Sequence, residues 1–591
     1  MSSDAPLKDK LHEHRIECPM GSAKFIVPEC AQKSLINESV VESAIRSEHP
    51  DINDTELADY VQNICQDARR LFTTLAYMRK EGEICRFVRD GVTDDDLPLQ
   101  RKFDNGNDYT QWRLEGKNGK RIEALESWKT RHREKFSNTQ CLMTSPVFEP
   151  GKHYELDNSI ILPFIAFTHE EGKELEFRGG GYSEVLIKCI HPSHHTFWER
   201  STSTENRLVA VKKLISPNEN EFRKEEKILT RLGPMNHPNL IRLLATFRQE
   251  NKWHLIFPYA DANLLKYWEH KEPIPNFDET TVLWSLKQMY GIADGLRLIH
   301  NFNVNGTAPV EGTDQVWGQG EAVRLTVQPG EEKYGRHGDM KPENILWFKD
   351  DPESHDPNGV LKIADFGLGR FHGRDSRSQV NPRSVCWSPT YEPPELKLGT
   401  PVSRAYDFWS LGGLYLEYIS WLLGGWAAVI GFSNRRALES AGAPHFSDDN
   451  YFSITSGEEQ VAHVRDGVKA WVKELHQHEK CSALLHDFLE LIMEKMLVID
   501  SKKRIKAADL QKRMKDFVRK AEEDKKYLLE PKPWPKDATS DRYNSPIPSH
   551  EKPKRTNPKR LNVTFNPETT THPSNRPLTP SPTRSPTWPI T

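Results

Sequence analysis

His337-Gly338-Asp339-Met340-Lys341-Pro342-Glu343-Asn344-Ile345-Leu346, followed by Leu361-Lys362-Ile363-Ala364-Asp365-Phe366-Gly367, is the stretch of this sequence densest in chemistry. Two aspartates, a lysine and an asparagine converge in two short loops, each beside an apolar run that reads as a strand. Hard carboxylate and amide oxygens suit Mg²⁺, which keeps waters and substrate phosphates as its remaining ligands. Asp339, five residues before Asn344, matches the phosphoryl-transfer pattern. In that pattern the aspartate accepts a hydroxyl proton, while the asparagine and a later aspartate hold the metal.

Working outward toward the N-terminus, Phe177-Arg178-Gly179-Gly180-Gly181-Tyr182-Ser183-Glu184-Val185 runs into Leu186-Ile187 and reads as strand, glycine turn, strand. Glycines at such a turn let backbone N–H groups approach phosphate oxygens with no side chain between them; alone, the hairpin is equally a plain turn. Leu208-Val209-Ala210-Val211-Lys212 reads as a buried strand ending in a lysine, which is costly unless the ammonium finds an anionic partner. Glu225 lies thirteen residues after Lys212, in a segment from Phe222 to Leu229 that reads as a helix able to turn it inward. Lys212 with Glu225 is then an ion pair that could serve phosphates, or a surface salt bridge, the commoner case.

Taken together, these segments resemble the eukaryotic protein kinases, over about residues 172 to 520 and in the family's order. Thr390-Tyr391-Glu392-Pro393-Pro394-Glu395 is similar to the segment that closes the activation loop. Asp407-Phe408-Trp409-Ser410-Leu411-Gly412 is similar to the start of the family's central buried helix, and Asp500-Ser501-Lys502-Lys503-Arg504 to its late arginine. The resemblance implies an α+β, bilobal protein-kinase-like fold, with a small β-rich lobe, a large helical lobe and ATP between them. It implies an ATP-dependent serine/threonine protein kinase, using Mg²⁺ and acting on protein substrates with Ser or Thr acceptors. Asp339 would be the catalytic base, Lys341 a γ-phosphate contact, Lys212 the phosphate-orienting lysine braced by Glu225, and Asn344 and Asp365 the metal ligands. Val185, Ala210 and Leu346 would sandwich adenine, Phe257 would gate the back pocket, and Pro258-Tyr259-Ala260 would form the hinge. Gly179, Gly180 and Gly181 would cover the phosphates, and Glu395 with Arg504 would be structural. Lys341, two places after the aspartate, is typical of Ser/Thr rather than Tyr kinases.

The sequence departs from the family at three places. Arg178 and Ser183 stand where the first and third loop glycines belong, which loosens the phosphate cover and leaves a pseudokinase scaffold as one rival. Gly338 replaces the arginine that grips a phosphorylated activation loop, so activity is expected without phosphorylation of Ser384, Ser388 or Thr390. His-Gly-Asp also resembles kinase-fold phosphotransferases of small molecules, the second rival. The segment Tyr334 to Asp339, the helical N-terminal region and the insertions together resemble a group of filamentous-fungal protein kinases.

The rest of the chain separates by composition. Residues 1–150 read as a helical region, with a helix starting near Asp54 or Thr55 whose apolar face runs from Leu57 to Leu75. Asn138 to Tyr154 reads as an irregular connection, residues 151–171 as a linker, and 172–522 as the kinase domain. Residues 302–333 and 425–465 read as surface insertions. In the last 69 residues, 14 of the 40 prolines and 16 Ser or Thr leave little apolar surface to offset chain entropy, so 523–591 reads as a disordered tail.

With 81 Lys+Arg against 85 Asp+Glu, net charge −4, the chain lacks the basic excess of a nucleic-acid binder, so no nucleic-acid partner is expected. Eight scattered cysteines without a Cys-x-x-Cys pair argue against zinc modules and disulfide scaffolds. His191, His194 and His195 read as a loop rather than a metal cluster. No apolar signal core opens the chain, so a cytoplasmic protein is expected, with the nucleus as a second compartment. The apolar run Leu411–Phe432 is long enough to tempt a membrane reading; the motifs around it make it a buried core helix instead, and no membrane partner is expected. Oligomeric state is not legible here.

Overall fold

A computed structural model describes residues 6–19, 24–105, 108–166, 176–177, 183–198, 207–214, 222, 226, 229–230, 236–301, 335–351, 354, 356–365, 390–437, 449–455 and 460–534. The N-terminal region encloses its own core, in which Val41, Ile45, Leu57, Ile64, Leu71, Phe72, Phe87 and Phe136 are buried. The helix expected to start at Asp54 or Thr55 is capped one residue earlier, by the Asn53 side chain accepting from Glu56 N–H. The apolar face from Leu57 to Leu75 is not one helix: it divides into Asp54–Asp67 and Arg69–Tyr77 at Ala68. There the Asp94 carboxylate takes the Arg70 and Leu71 N–H groups at 2.9 Å, and so caps the second helix from outside it. The region is also not purely helical, because Gln100–Asn105 and Asp108–Glu115 form an antiparallel hairpin.

The stretches read as irregular connection and linker are structured as well. Thr130–Thr139 is a helix followed by a 3₁₀ turn, Gln140–Leu142. His153–Glu155 and Phe164–Ile165 are strands of the main sheet. That sheet runs His153–Glu155, Ala245–Gln249, Lys252–Pro258, Arg207–Leu214, Ser183–Ile190, Phe164–Ile165, with Glu176–Phe177 also paired to Ser183–Ile190. Its pairs are antiparallel except the one between Ala245–Gln249 and His153–Glu155. Apolar residues at alternate positions of Arg207–Leu214 bury one face, with Val209 and Val211 inside. The register sets Lys212 between Val185 and Leu255, and Ala210 between Ile187 and Phe257.

The helices Glu279–His300, Ala405–Ala437, Ala483–Leu491 and Ala507–Glu523 share one core around Leu296, Trp409, Leu414, Tyr415, Phe488 and Met514. The apolar run Leu411–Phe432 lies in Ala405–Ala437, which turns sharply at Gly425 (φ 70°, ψ −167°) and is not one straight core helix. There the backbone leaves the helical region so that Trp426 N–H can reach Pro273 O at 2.8 Å. A Cβ on Gly425 would lie 2.5 Å from that oxygen, so only glycine fits. Among the described residues this is the one helix long and apolar enough to cross a membrane, and its most apolar window is 72% buried inside the protein.

Residues 425–465 are not a surface excursion where described. Arg436 is buried, ion-paired with Glu417 at 2.8 Å and held between the Phe432 and Tyr451 rings at 4.2 and 4.4 Å. Buried charge of this kind requires partners on every side, and Glu417 is the acidic residue that interrupts the apolar run. The first residues of the span expected to be a disordered tail are structured: Lys525–Leu529 is a helix with Leu528 buried, and Pro531 bridges to Ser482. Residues 302–334 and 535–591, which include the first insertion and most of the expected tail, lie outside the described residues.

Candidate active site

A hairpin positions the loop chemistry. Ile345–Phe348 pairs antiparallel with Val360–Ile363, and the register Ile345↔Ile363 brings Asn344 beside Ala364, whose N–H donates to Asn344 O at 2.9 Å. The residue after Ala364 is Asp365, so the two loops of the opening stretch meet here. His337 reinforces the junction. Its Nε2 donates to Ala364 O at 2.9 Å, which assigns the tautomer, and its Nδ1 accepts from Asp339 N–H at 3.3 Å.

Beneath the loop lies Asp407, fully buried. Its Oδ2 accepts from His337 N–H and His300 Nε2, both at 2.8 Å, and its Oδ1 accepts from Gly338 N–H at 2.8 Å. Burial alone would raise this carboxyl's pKa, but His300, His337 and Arg336 outweigh it and hold the group below the ordinary carboxylate range. Two consecutive N–H groups reach one carboxylate because Gly338 adopts φ 78°. An L side chain in that left-handed region costs about 1–2 kcal/mol, so glycine at this position relaxes the loop.

Above this anchor, Asp339 Oδ2 accepts from Lys341 Nζ at 2.8 Å and Asn344 Nδ2 at 2.9 Å. Asn344 Nδ2 also donates to Asp339 O at 2.8 Å. With its amide N–H groups turned to Asp339, what Asn344 can offer a cation is its carbonyl oxygen. Together with the Asp365 carboxylate this is a pair of hard-oxygen donors, and it fits a Mg²⁺-type ion.

On the sheet side Lys212 reaches the second loop. The buried Lys212 ammonium donates to Asp365 Oδ1 at 2.7 Å, and Asp365 itself sits at φ 63°. Glu225, the expected brace, lies outside the described residues, as do Gly179, Gly180 and Gly181. Of the segment read as the Glu225 helix, Phe222 is buried and stacks on Trp253 with ring centroids 4.0 Å apart, and Leu229 is buried. Val185, Ala210, Tyr259, Ala260 and Leu346 are half-buried, and Phe257 is buried. Val185, Ala210 and Phe257 lie on three adjacent strands of one sheet, while Leu346 belongs to the hairpin below. The structure therefore brings Asp339, Lys341, Asn344, Asp365 and Lys212 together.

Other expected residues serve the scaffold. Arg504 grips Glu395 bidentately at 2.7 and 2.8 Å, both buried. Thr390 is buried with its hydroxyl donating to Asp449, so as packed it is no modification site; Ser384 and Ser388 lie outside the described residues. His194 accepts from Glu29 N–H at 3.1 Å and donates to Pro146 O at 2.9 Å, tying the N-terminal region to the sheet. Sequence reading missed His300 and the anchoring roles of His337 and Asp407. A histidine ending an otherwise apolar helix, Leu298-Ile299-His300, was the available signal.

The sequence is similar to that of known proteins. A model of the protein kinase domain matches residues 333–423. Cyclin-dependent kinase-like 5 of mouse and of human is 27% identical over 254 residues, 42% of this chain and 21% and 20% of those proteins. Cyclin-dependent kinase-like 2 of Pongo abelii is 26% identical over 253 residues, 42% of this chain and 39% of its own length. The chain thus spans between a fifth and two fifths of the curated relatives it matches.

Proposed function

We propose that this chain, a member of the eukaryotic protein kinase family, is an ATP- and Mg²⁺-dependent enzyme that transfers the γ-phosphate of ATP to Ser or Thr hydroxyls of proteins. The observation that carries the reading is the Asp339 carboxylate, held by Lys341 and Asn344 on a loop seated on buried Asp407 and joined to Asp365. Asp339 takes the proton of the acceptor hydroxyl. Lys341, a compact point charge beside it, meets the γ-phosphate. Asn344 and Asp365 hold Mg²⁺, which neutralises phosphate charge when bound. Lys212 orients the α- and β-phosphates, and Glu225 braces it. Val185, Ala210 and Leu346 contact adenine, Phe257 limits the depth of the pocket, Tyr259 and Ala260 bind the base edge, and Gly179, Gly180 and Gly181 cover the phosphates. Catalysis rests on positioning and charge neutralisation rather than on a covalent intermediate.

The bilobal arrangement, with nucleotide between sheet and helices, is part of this reading, and so is a cytoplasmic and nuclear location. The test is transfer of γ-labelled phosphate, with Mg²⁺, to a mixed Ser/Thr/Tyr peptide library. The wild type should label Ser and Thr only, and Asp339→Asn should lose about 10²–10⁴ of that rate. Nucleotide binding without label would make the chain a scaffold, and label on a small molecule alone would move it to the other phosphotransferases.

A further inference from the structure

Away from the Asp339 site, His476, Cys481 and His486, evenly spaced five residues apart, form one buried cluster with donor atoms within 4.8 Å of each other. His476 ends the helix Asp466–His476, Cys481 lies in the connection, and His486 sits in the first turn of Ala483–Leu491. His476 Nδ1 is 2.7 Å from His486 Nδ1, and Cys481 Sγ is 3.6 Å from the same nitrogen. The last described segment closes over them. Lys532 N–H donates to Cys481 O at 2.9 Å, and Trp534 stacks on His476 with centroids 4.1 Å apart and planes 3° from parallel.

A proton count shows what this cluster lacks. His486 Nε2 is 2.7 Å from Lys532 O, and a carbonyl only accepts, so Nε2 carries the hydrogen and Nδ1 of the neutral ring is a bare lone pair. His476 Nδ1 and Cys481 Sγ both face that lone pair. If His476 carries its proton on Nδ1, its Nε2 is a buried acceptor without a hydrogen-bond partner, 3.9 Å from the Glu490 carboxylate, which is itself an acceptor. If the proton sits on Nε2, two bare nitrogens meet at 2.7 Å. A cation among the two Nδ1 atoms and Sγ removes the conflict. His486 Nε2–H then donates to the Lys532 carbonyl, the outer-shell bond that orients metal-binding imidazoles, and His476 Nε2–H faces the side of the Glu490 carboxylate, 3.9 Å away.

We propose that His476 Nδ1, Cys481 Sγ and His486 Nδ1 bind one zinc ion, a structural site that ties the segment ending at Trp534 to two helices of the helical core. Two imidazoles and a thiolate are three of the four donors that a borderline-soft, tetrahedral ion takes. Bonds of about 2.05 Å to nitrogen and about 2.3 Å to sulfur give a tetrahedral S···N edge of about 3.6 Å, the separation found between Cys481 and His486. The N···N edge is about 3.3 Å, so the two rings part by about 0.6 Å on binding. Cys481 binds as thiolate and releases one proton. The inference stands apart from the kinase reading, because none of these residues touches the Asp339 site.

The test uses the full chain, purified without a metal-affinity step, dialysed against micromolar zinc chloride and then against metal-free buffer. Elemental analysis should find one zinc per chain. Exchange into Co²⁺ should give thiolate-to-cobalt charge-transfer absorption in the near ultraviolet and the visible bands of a tetrahedral site. Cys481→Ser should abolish the charge-transfer band and weaken zinc by about tenfold or more, while Cys30→Ser, at an exposed thiol elsewhere, changes neither. Substoichiometric zinc in the wild type overturns the proposal regardless of how any variant folds, and leaves His476 Nδ1–H donating to His486 Nδ1. A cobalt band that survives Cys481→Ser, or uptake of copper but not zinc, overturns it as well.

Discussion

Asp407, beneath the Asp339 loop, is wholly buried and gives its carboxylate to three donors, two of them consecutive backbone N–H groups. Lys212, on the sheet, gives its ammonium to Asp365, whose side chain is one third exposed. The contrast separates two uses of charge. A buried, fully hydrogen-bonded carboxylate fixes backbone geometry, because leaving its partners unpaired is costly. The Lys212 ammonium is itself buried and needs an anion beside it, but its partner Asp365 is open to water on one side, which suits a site where phosphates and a cation compete for the same groups. The loop is therefore prebuilt, while the sheet-side pair is exchangeable.

The comparison breaks most visibly at the anchor. Asp407→Ala leaves the His337 and Gly338 N–H groups and His300 buried without their acceptor, and should cost about 3–5 kcal/mol, read as a fall in the urea midpoint together with loss of turnover. A variant that unfolds at the wild-type midpoint would show that the anchor does not hold the loop.

Acid should loosen the sheet next. Burial drives the pKa values of His194 and His254 down to about 4. The unfolded chain takes up these protons near pH 6.5 and the folded chain resists until about pH 4, so stability is flat above about 6.5 and falls as pH drops toward 4. His194→Gln, which keeps a hydrogen-bonding side chain without a titrating one, should flatten that limb in unfolding curves taken between pH 7 and pH 4. An unchanged slope would remove His194 from the account.

A smaller effect sharpens the role of the loop. Gly338→Ala should destabilise by about 1–2 kcal/mol through its positive φ alone, visible in thermal unfolding, with the Asp407 bonds retained. The smallest effect is expected on the sheet: Lys212→Met puts an apolar side chain in the buried position and leaves the partly exposed Asp365 to water, so unfolding free energy should change by less than about 1 kcal/mol while nucleotide-dependent turnover falls. A large loss of stability there would mean the Lys212–Asp365 pair is a fixed anchor like Asp407.

Much of the site was legible because its chemistry is local. Asp339, Lys341 and Asn344 lie within six residues, and the apolar runs beside them predict the strands that carry them. The N-terminal core face was legible from Leu57 to Leu75, but its break at Ala68 was not, because the cap comes from Asp94. The strands within 151–171 escaped notice because segments of two or three residues show no period and gain their bonds only from neighbours.

By itself the sequence determined the order of the phosphoryl-transfer residues and the burial of the long apolar run, since period, residue type and spacing are local quantities. Tertiary structure alone decided that Lys212 meets Asp365 across 153 residues, that Gly425 turns the long helix over Pro273, and that His476, Cys481 and His486 share one pocket with Trp534. Such pairings form wherever packing brings buried polar groups within reach of a partner. The partner, unlike the pattern, is not written nearby in the chain.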